Sequence, residues 1–347
     1  MRAGFRCDAG PQIGVGHLIR CLALAEELLA RGVEVVFIGS VTGSPWARSQ
    51  LGARGLTLVP AERSPQGLAD QAGRLGLDAV IIDSYDLAPR AGASLRRAGV
   101  TVLAIVDGET EQQADLYLDQ NLGAEAMDVV LPDGAVRLAG AEFALLRDSV
   151  REHRAPLPRP ARSGPPRLLC FFGGTDAAGA AVTVTELAIS TGEPFDATVV
   201  AADLATERAL TGLRTRRGQS VTPIAPTDRL PALAAQADAA VIAAGGSTWE
   251  MLGLGVPTAL IWVAGNQRQA YANVISRGLA VGLGSLAELS CDPSGPAQGL
   301  RTLLVDADAR ATLAEHGAAV VDGRGRERVA SALLDLTAPP STGGSAR

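Results

Sequence analysis

Apolar and polar positions follow a repeating order along this chain: a short apolar run, then a segment with helical periodicity. Near-continuous apolar runs are typical of parallel strands buried on both faces, and the helical segments between them indicate strand–helix–strand units. The predicted strands are Arg2–Cys7, Glu34–Gly39, Leu56–Val59, Asp78–Asp83, Thr101–Asp107, Arg167–Phe172, Ala197–Ala201, Ser220–Ile224, Ala239–Ala244 and Thr258–Val263. The predicted helices include Leu18–Arg31, Leu87–Ala98, Leu230–Ala237 and Gln267–Arg277.

The alternation is interrupted once, by the stretch EHRAPLPRPARSGPPR at 152–167. Proline removes backbone donors and blocks helix interiors, so this stretch is interpreted as an interdomain linker. We therefore predict an α/β protein of two Rossmann-like domains that face each other across a cleft. The expected boundaries are 1–151 for the N-terminal domain, 152–166 for the linker, 167–336 for the C-terminal domain, and 337–347 for a disordered tail.

Three glycine-containing loops follow predicted strands: GVGH at 14–17, FFGGTD at 171–176 and AAGGSTWE at 243–250. Ligands of open parallel sheets bind at the carboxyl ends of strands, where all three loops are expected. The first loop departs from the GxGxxG fingerprint because residue 19 is isoleucine, and the chain contains no GK[ST] sequence. Each loop is either a purely structural tight turn or a phosphate cradle. The candidate glycines are Gly14, Gly16, Gly173, Gly174, Gly245 and Gly246.

The third loop is the most informative of the three. Its glycines allow a close approach of the backbone, and Ser247 and Thr248 add hydroxyl groups at the predicted start of a helix. The positive end of that helix is suited to hold a diphosphate without a metal ion. Glu250 has two interpretations: it completes a capping box with Ser247 at the N-cap, or its carboxylate accepts the two hydroxyls of a ribose.

Two more segments are candidates for contact with a nucleotide. Asn266 and Gln267 stand at a strand-to-helix junction, where Asn266 either faces the ligand or caps the helix. Ile224, in SVTPIAPTDRL, is expected to offer backbone contacts to a base, and both uracil and thymine fit such a loop.

The first loop raises a chemical question, because His17 stands where the glycines lead into a helix. Histidine exchanges protons near neutral pH and is therefore a candidate general base; the alternative is that His17 only opens the helix. Asp8 and Arg20 flank this loop and are both candidate substrate contacts. Arg20 lies one turn after His17, and it is expected either to contact phosphate or to pair with Asp8.

The composition narrows the choice of function. The chain has 347 residues and a formal net charge of −6, without the basic face that nucleic-acid-binding proteins carry. We find no apolar stretch long enough for a membrane span and no signal peptide before the first strand, so we expect a cytoplasmic protein without membrane contact. The four cysteines form no CxxC pair, and no metal or cofactor is expected.

Six motifs occur in order: R-x-D-x(5)-G-x-G-H-x-x-R-C-x-x-L-A at 6–25, D-S-Y at 83–85, G-x-E-x-A-L-L-R at 140–147, F-G-G-x-D at 172–176, G-G-S-T-x-E at 245–250 and N-Q at 266–267. Together they resemble the UDP-2,4-diacetamido-2,4,6-trideoxy-β-L-altropyranose hydrolases of pseudaminic acid biosynthesis and the related spore-coat polysaccharide proteins. That family is similar in fold to the GT-B glycosyltransferases that make lipid II. The chain departs from the family at Gly108, where a second aspartate is expected.

The resemblance implies an enzyme that removes UDP from a diamino sugar by inverting cleavage of the anomeric C–O bond. It implies that His17 is the catalytic histidine and that Tyr85 and Asn266 lie beside the sugar and the attacking water. It also implies that the loop at 245–248, with Glu250, holds the UDP. Two other functions stay open: a GT-B glycosyltransferase that uses a UDP- or dTDP-sugar, and a nucleotide-sugar-binding protein without activity. We expect a monomer or weak dimer.

Overall fold

The structure, a computed structural model, describes residues 1–10, 13–108, 111–158, 162–174 and 176–338. Within these ranges the strands are β1 (Arg2–Cys7), β2 (Glu34–Ile38), β3 (Thr57–Val59), β4 (Ala79–Asp83), β5 (Thr101–Ile105), β6 (Leu116–Asp119), β7 (Val136–Ala139), β8 (Arg167–Phe171), β9 (Phe195–Val200), β10 (Gln219–Ile224), β11 (Ala239–Ala243), β12 (Thr258–Trp262) and β13 (Val281–Ser285). From 339 to its end, the predicted tail lies outside the described residues.

The helices lie between these strands and after the last of them. They are α1 (Gly16–Ala30), α2 (Pro45–Gly52), α3 (Pro65–Arg74), α4 (Arg90–Arg97), α5 (Asp148–Arg151), α6 (Ala180–Ser190), α7 (Leu204–Thr211), α8 (Leu230–Gln236), α9 (Ser247–Leu254), α10 (Arg268–Ser276), α11 (Leu286–Cys291), α12 (Ser294–Val305), α13 (Ala307–Val320) and α14 (Gly325–Thr337). Short 3₁₀ turns occur at Ala124–Ala126, Ala141–Phe143 and Gly265–Gln267.

The described chain forms two compact units, and each contains one sheet. Among the described residues, the first unit comprises 1–10, 17–108, 111–145 and 324–338, and the second comprises 13–16, 146–158, 162–174 and 176–323. The first sheet has seven strands in the order β3-β2-β1-β4-β5-β6-β7. The second has six in the order β10-β9-β8-β11-β12-β13. Neighbouring strands are parallel throughout, so the predicted α/β class is confirmed.

Each sheet is buried between helices, as its apolar strands predict. In the first unit, Val80, Ile82 and Val102 pack with helix residues Leu68 and Leu95 into one apolar cluster. In the second, strands β8, β9, β11, β12 and β13 and helices α6, α7, α11 and α12 supply the corresponding cluster. The strands β6, β7 and β13 are absent from the sequence prediction because they are short or rich in glycine and lack a long apolar run.

The last helix, α14, packs on the first unit, although the predicted C-terminal domain included it. Its apolar face is fully buried at Val329, Ala330 and Leu333. Arg326, which is 3 % exposed, donates to Glu26 of α1 at 3.1 Å. The chain thus returns to the first unit after completing the second, a crossing that no local pattern in the sequence reveals.

Candidate functional site

The carboxyl ends of β1 and β4 meet in the middle of the first sheet, where the strand order reverses direction. Such a reversal point opens a crevice for ligands, because the chain segments that leave the two strands diverge. His17 lies here in the first turn of α1, and Asp83 is the last residue of β4. The register of the sheet places Asp83 opposite Cys7, the last residue of β1.

His17 and Asp83 form a buried pair. The Nδ1 atom of His17 lies 2.5 Å from Oδ1 of Asp83, whose side chain has no exposed surface. Because a carboxylate only accepts, Nδ1 carries the proton of this hydrogen bond, and in the neutral ring Nε2 then presents its lone pair. Nε2 has no hydrogen-bond partner within the described ranges. A neutral imidazole held in this tautomer by a carboxylate is the arrangement of a general base.

Arg20 approaches the same carboxylate from one turn further along α1. Its Nε donates to Oδ2 of Asp83 at 2.7 Å and its Nη2 donates to Oδ1 at 2.6 Å. Its Nη1 donates to Oδ1 of Asp107 at 3.1 Å. The predicted alternative in which Arg20 pairs with Asp8 is wrong, because Asp8 lies beyond the end of β1 and pairs with Arg6 at 2.6 Å.

Tyr85 lies beside this pair, in the segment that follows β4. Its ring contacts the His17 ring edge to face, with 4.8 Å between the centroids, and its hydroxyl donates to Asp107. The residue is 63 % exposed, so it forms an open wall of the site. Burial raises the pKa of Tyr85, and the Asp107 carboxylate raises it further, so the hydroxyl keeps its proton.

Asp107 and Asp119 extend the cluster across the ends of β5 and β6. Asn121 donates to Asp107 at 2.8 Å and to Asp119 at 2.9 Å, and the backbone N–H of Gly108 donates to Asp119 at 2.9 Å. Burial raises the pKa of Asp107, but Arg20, Tyr85 and Asn121 outweigh it and hold that pKa at about 2. Burial dominates at Asp119 and raises its pKa.

The sequence analysis assigned no role to Asp83, Asp107 or Asn121. Asp83 occurs in the D-S-Y motif, and both aspartates end apolar strands. A polar residue directly after a buried parallel strand is a usable signal, because it lies at the ligand-binding edge whatever its neighbours are. Asp83 and Asp107 bring together the predicted residues His17, Arg20 and Tyr85, and Asn121 contacts Asp107.

In the second unit, the loop before α9 has the geometry of an anion site. The loop follows β11, which neighbours β8 where this sheet also reverses direction. Residue 246 is the N-cap of α9, and no side chain caps the helix. Gly245 and Gly246 have no side chain that would cover the backbone. A Cβ at Gly246 would meet nothing within 4 Å. Thr248 is 4 % exposed.

The predicted capping box of Ser247 and Glu250 is wrong, because Ser247 is already the first residue of α9. Glu250 is 6 % exposed and forms a buried ion pair with Arg147 instead. Nε and Nη2 of Arg147 donate to Oε1 of Glu250 at 3.0 and 2.8 Å, and Nη2 also donates to Oε2 at 3.1 Å. Arg147 ends the G-x-E-x-A-L-L-R motif, to which no role was assigned.

The second glycine loop differs from the third. Gly173 has a φ of +85°, a backbone conformation that glycine adopts readily and residues with a Cβ rarely adopt. Asp176, at a φ of +39°, accepts from the backbone N–H groups of Ala180 and Ala181 at 2.8 and 3.0 Å and thus satisfies the start of α6. A Cβ at Gly174 would lie 3.2 Å from Cγ2 of Val15, so a side chain there would press on Val15 of the first loop. Gly14 has a φ of +80°, and a Cβ at Gly16 meets open space.

The remaining predicted residues lie at the same edge of the second sheet. Gln267 accepts from the backbone N–H of Val263 at 2.9 Å, and its Nε2 lies 3.8 Å from an ideal Cβ on Gly245. Asn266 is exposed and does not cap α10, so that alternative is wrong. Ile224 ends the edge strand β10, and its carbonyl accepts from the N–H of Ala201 at 2.8 Å.

Solved structures share this fold along nearly the whole chain. Acinetobacter baumannii MurG superposes with a TM-score of 0.68 at 14 % identity, covering 96 % of this chain and 99 % of MurG. The chain has the GT-B fold. The glycosyltransferase VinC in complex with dTDP superposes with a TM-score of 0.61 at 16 % identity, covering 97 % of this chain and 99 % of VinC.

A Listeria monocytogenes protein described as a UDP-N-acetylglucosamine 2-epimerase also matches, with a TM-score of 0.60 at 12 % identity over 96 % of each chain. Enzymes of different activity thus share this architecture, and these identities establish the fold alone. No protein-family model matches the chain, and no curated protein matches it. The hydrolase family named above is therefore not confirmed.

Two further observations concern a membrane and a metal ion as partners. None of the helices in the described part of the chain combines the length and hydropathy needed to span a bilayer. Among the same residues, no group of three or more histidine, cysteine, aspartate or glutamate side chains is placed to hold a metal ion.

Proposed function

We propose that this chain is a nucleotide-sugar enzyme in which His17 activates an oxygen nucleophile for inverting displacement at the anomeric carbon. The pair of His17 and Asp83 carries the proposal: Nδ1 is committed to a buried carboxylate, which leaves Nε2 as the free lone pair. In the reaction, the nucleophile gives its proton to Nε2 while its oxygen bonds to the anomeric carbon. The bond from that carbon to the diphosphate breaks, and the electron pair leaves with the diphosphate.

The charges around His17 favour its role as a base. Asp83 and Asp107 carry two negative charges against the single positive charge of Arg20. When His17 gains a proton, the four side chains become neutral as a set. The cluster is therefore built to stabilise the imidazolium that proton transfer produces, as the carboxylate does in a serine protease triad.

The second unit supplies features that suit a nucleoside diphosphate. The uncapped start of α9 offers backbone N–H groups and about half a positive charge, with the hydroxyls of Ser247 and Thr248 beside them. Such a group stabilises a diphosphate both when bound and when it departs. Glu250 keeps acceptor capacity on Oε2, which fits a ribose hydroxyl. VinC was solved with dTDP, so both UDP and dTDP are candidates for the nucleotide.

The acceptor distinguishes two candidate reactions. The solved structures with this fold include several glycosyltransferases, which favours transfer of the sugar to a hydroxyl group of an acceptor molecule. The ordered motif set, with D-S-Y and N-Q, favours hydrolysis of a UDP-linked diacetamido-trideoxy hexose, in which water is the acceptor. His17 has the same task in both reactions, because each begins with removal of a proton from an oxygen.

Product analysis in ¹⁸O-enriched water separates these reactions. The purified protein is incubated with UDP- and dTDP-sugars, including UDP-2,4-diacetamido-2,4,6-trideoxyaltrose, with and without a chelator. Free sugar with ¹⁸O at the anomeric position indicates hydrolysis. Nucleotide release that requires an added hydroxyl acceptor, and yields an ¹⁸O-free glycoside, indicates transfer. If the protein neither releases a nucleoside diphosphate from any donor nor binds one, the proposal is wrong.

A further inference from the structure

One guanidinium group lies between the two carboxylates that hold His17 and Tyr85. Asp83 accepts from His17, and Asp107 accepts from Tyr85. Arg20 contacts both carboxylates, with its shortest contacts at 2.6 Å to Asp83 and 3.1 Å to Asp107. Both roles predicted for Arg20 from the sequence, a contact to phosphate and a pair with Asp8, differ from this one.

We propose that Arg20 is a positioning residue that couples the orientation of His17 to that of Tyr85 and does not bind the substrate. This inference rests on the proposed function, because it concerns the side chains that would act there. In this proposal, the Arg20 bridge accounts both for the tautomer of the His17 ring and for the position of the Tyr85 hydroxyl.

The donors of Arg20 are already committed. Nε and Nη2 lie 2.7 and 2.6 Å from the two oxygens of Asp83. Nη1 lies 3.1 and 3.4 Å from the two oxygens of Asp107, and Nη2 lies 3.3 Å from Oδ2 of the same residue. All three nitrogens therefore point at protein carboxylates, and a phosphate would have to displace one of them. The side chain is 13 % exposed, which leaves little surface for a ligand.

The planar fork of arginine is needed for this bridge. A guanidinium presents five N–H donors in fixed directions and binds a carboxylate through two parallel hydrogen bonds. A lysine ammonium carries the same charge on a single nitrogen. It cannot donate to both oxygens of Asp83 and to Asp107 at the same time in the geometry of the guanidinium. The charge is also needed: burial raises the pKa of Asp83, and Arg20 is the main group that lowers it, with His17 assisting.

Three variants separate charge from geometry. R20K keeps the charge and loses the fork, and R20Q loses both. R31Q is the matched control, because Arg31 directly follows the same helix and pairs with Glu27 at 2.8 Å, away from the cluster. R20Q leaves two carboxylates without their cation, so R20Q/D107N, which restores the charge balance, serves if R20Q does not fold.

The first readout needs no substrate. Ring ¹⁵N shifts of His17 report which nitrogen carries the proton, and we expect the Nδ1–H form in the wild type and R31Q. In R20Q and R20K the ring should sample both tautomers, because Asp83 is no longer held. An unchanged Nδ1–H ring in R20K and in the Gln variants overturns the proposal, since Asp83 then holds His17 without help.

The second readout splits binding from turnover. For R20Q we expect kcat to fall about 10- to 100-fold, as for residues that orient reactive groups, while the Kd for UDP or dTDP stays within about twofold. R20K should recover only part of kcat. A large loss of nucleotide affinity with an unchanged His17 ring would make Arg20 a substrate ligand and overturn the proposal. If the wild type turns over no nucleotide sugar, the proposed function fails, yet the ring shifts still decide the role of Arg20.

Discussion

At the carboxyl end of the first sheet, histidine, arginine and aspartate side chains contact one another, whereas the loop before α9 at the end of the second sheet contains glycines and hydroxyls. Both places lie where a parallel sheet reverses its strand order. The two places therefore suit different chemistries: the side chains in the first unit suit proton exchange, and the backbone N–H groups in the second favour anions.

Replacing Asp83 should have the largest effect. D83N keeps the shape of the side chain but offers an amide to Nδ1 of His17, which favours the tautomer with the proton on Nε2. We expect kcat to fall about 10³- to 10⁴-fold, as when the aspartate of a serine protease triad is replaced. Steady-state kinetics on the donor identified above provides the measurement. D78N is the control, because Asp78 precedes the same strand and is half-exposed. A D83N enzyme within threefold of wild type would refute the role of the pair.

Breaking the ion pair of Arg147 and Glu250 should mainly affect stability. R147M keeps much of the side-chain volume but leaves the Glu250 carboxylate buried without its partner. Removing one member of a buried pair typically costs about 3–5 kcal/mol. Urea unfolding should show that loss for R147M and less than about 1 kcal/mol for R301Q, which removes an exposed pair with Glu193. Equal losses in the two variants would show that the buried pair is not a structural support of α9.

A negative charge at the start of α9 should weaken nucleotide binding without harming the fold. Gly246 has a φ of −56°, and its Cβ position is empty, so G246D fits. A carboxylate there interacts favourably with the helix dipole by about 0.5 kcal/mol but repels a diphosphate. We expect the Kd for UDP or dTDP to rise at least about tenfold in calorimetry, which is about 1.4 kcal/mol.

The neutral variant G246N, which has the same size, is the matched control and should raise the Kd far less. D176N is a second control, because Asp176 satisfies the start of α6 and should affect stability only. If G246D binds nucleotide as tightly as G246N, the diphosphate does not lie at α9.

The Asp107 carboxylate should give the first unit a measurable acid sensitivity. Its pKa of about 2 lies below the ordinary value of about 3.9, so its ionised form is stabilised in the folded protein. That stabilisation is complete above about pH 4 and is lost as the pH falls towards 2. We expect the wild type to lose about 1–2 kcal/mol more than D107N over this range. Thermal unfolding at pH 5, 4, 3 and 2 measures it, and parallel curves for the two proteins would contradict it.

The sequence predicted the fold better than it predicted the charged cluster. Continuous apolar runs such as those of β4 and β11 identify buried parallel strands, and ten of the strands follow from them. The strands β6 and β7 at one side of the first sheet and the return of α14 to the first unit depend on contacts distant in sequence. Local patterns do not encode such contacts.

The site shows the same limit. Glycines and His17 stand out locally, because loops that follow strands are recognisable in the sequence. The partner of His17 is 66 positions away, and the partner of Glu250 is 103 positions away. Only the sheet register and the packing of α9 bring these side chains together. Asp83 and Asp107 are visible in the sequence as polar ends of apolar strands, but their pairing through Arg20 is not.

The central claim is that His17 acts in the chemical step and not in binding. Its most direct test is a single-turnover reaction of wild type and H17Q with saturating nucleotide sugar, together with calorimetric binding of UDP or dTDP to both proteins. The account predicts nucleotide affinity within about twofold and a rate for H17Q at least about 10³-fold lower. An H17Q rate close to that of the wild type would contradict it, because the reaction would then proceed without a base at this position.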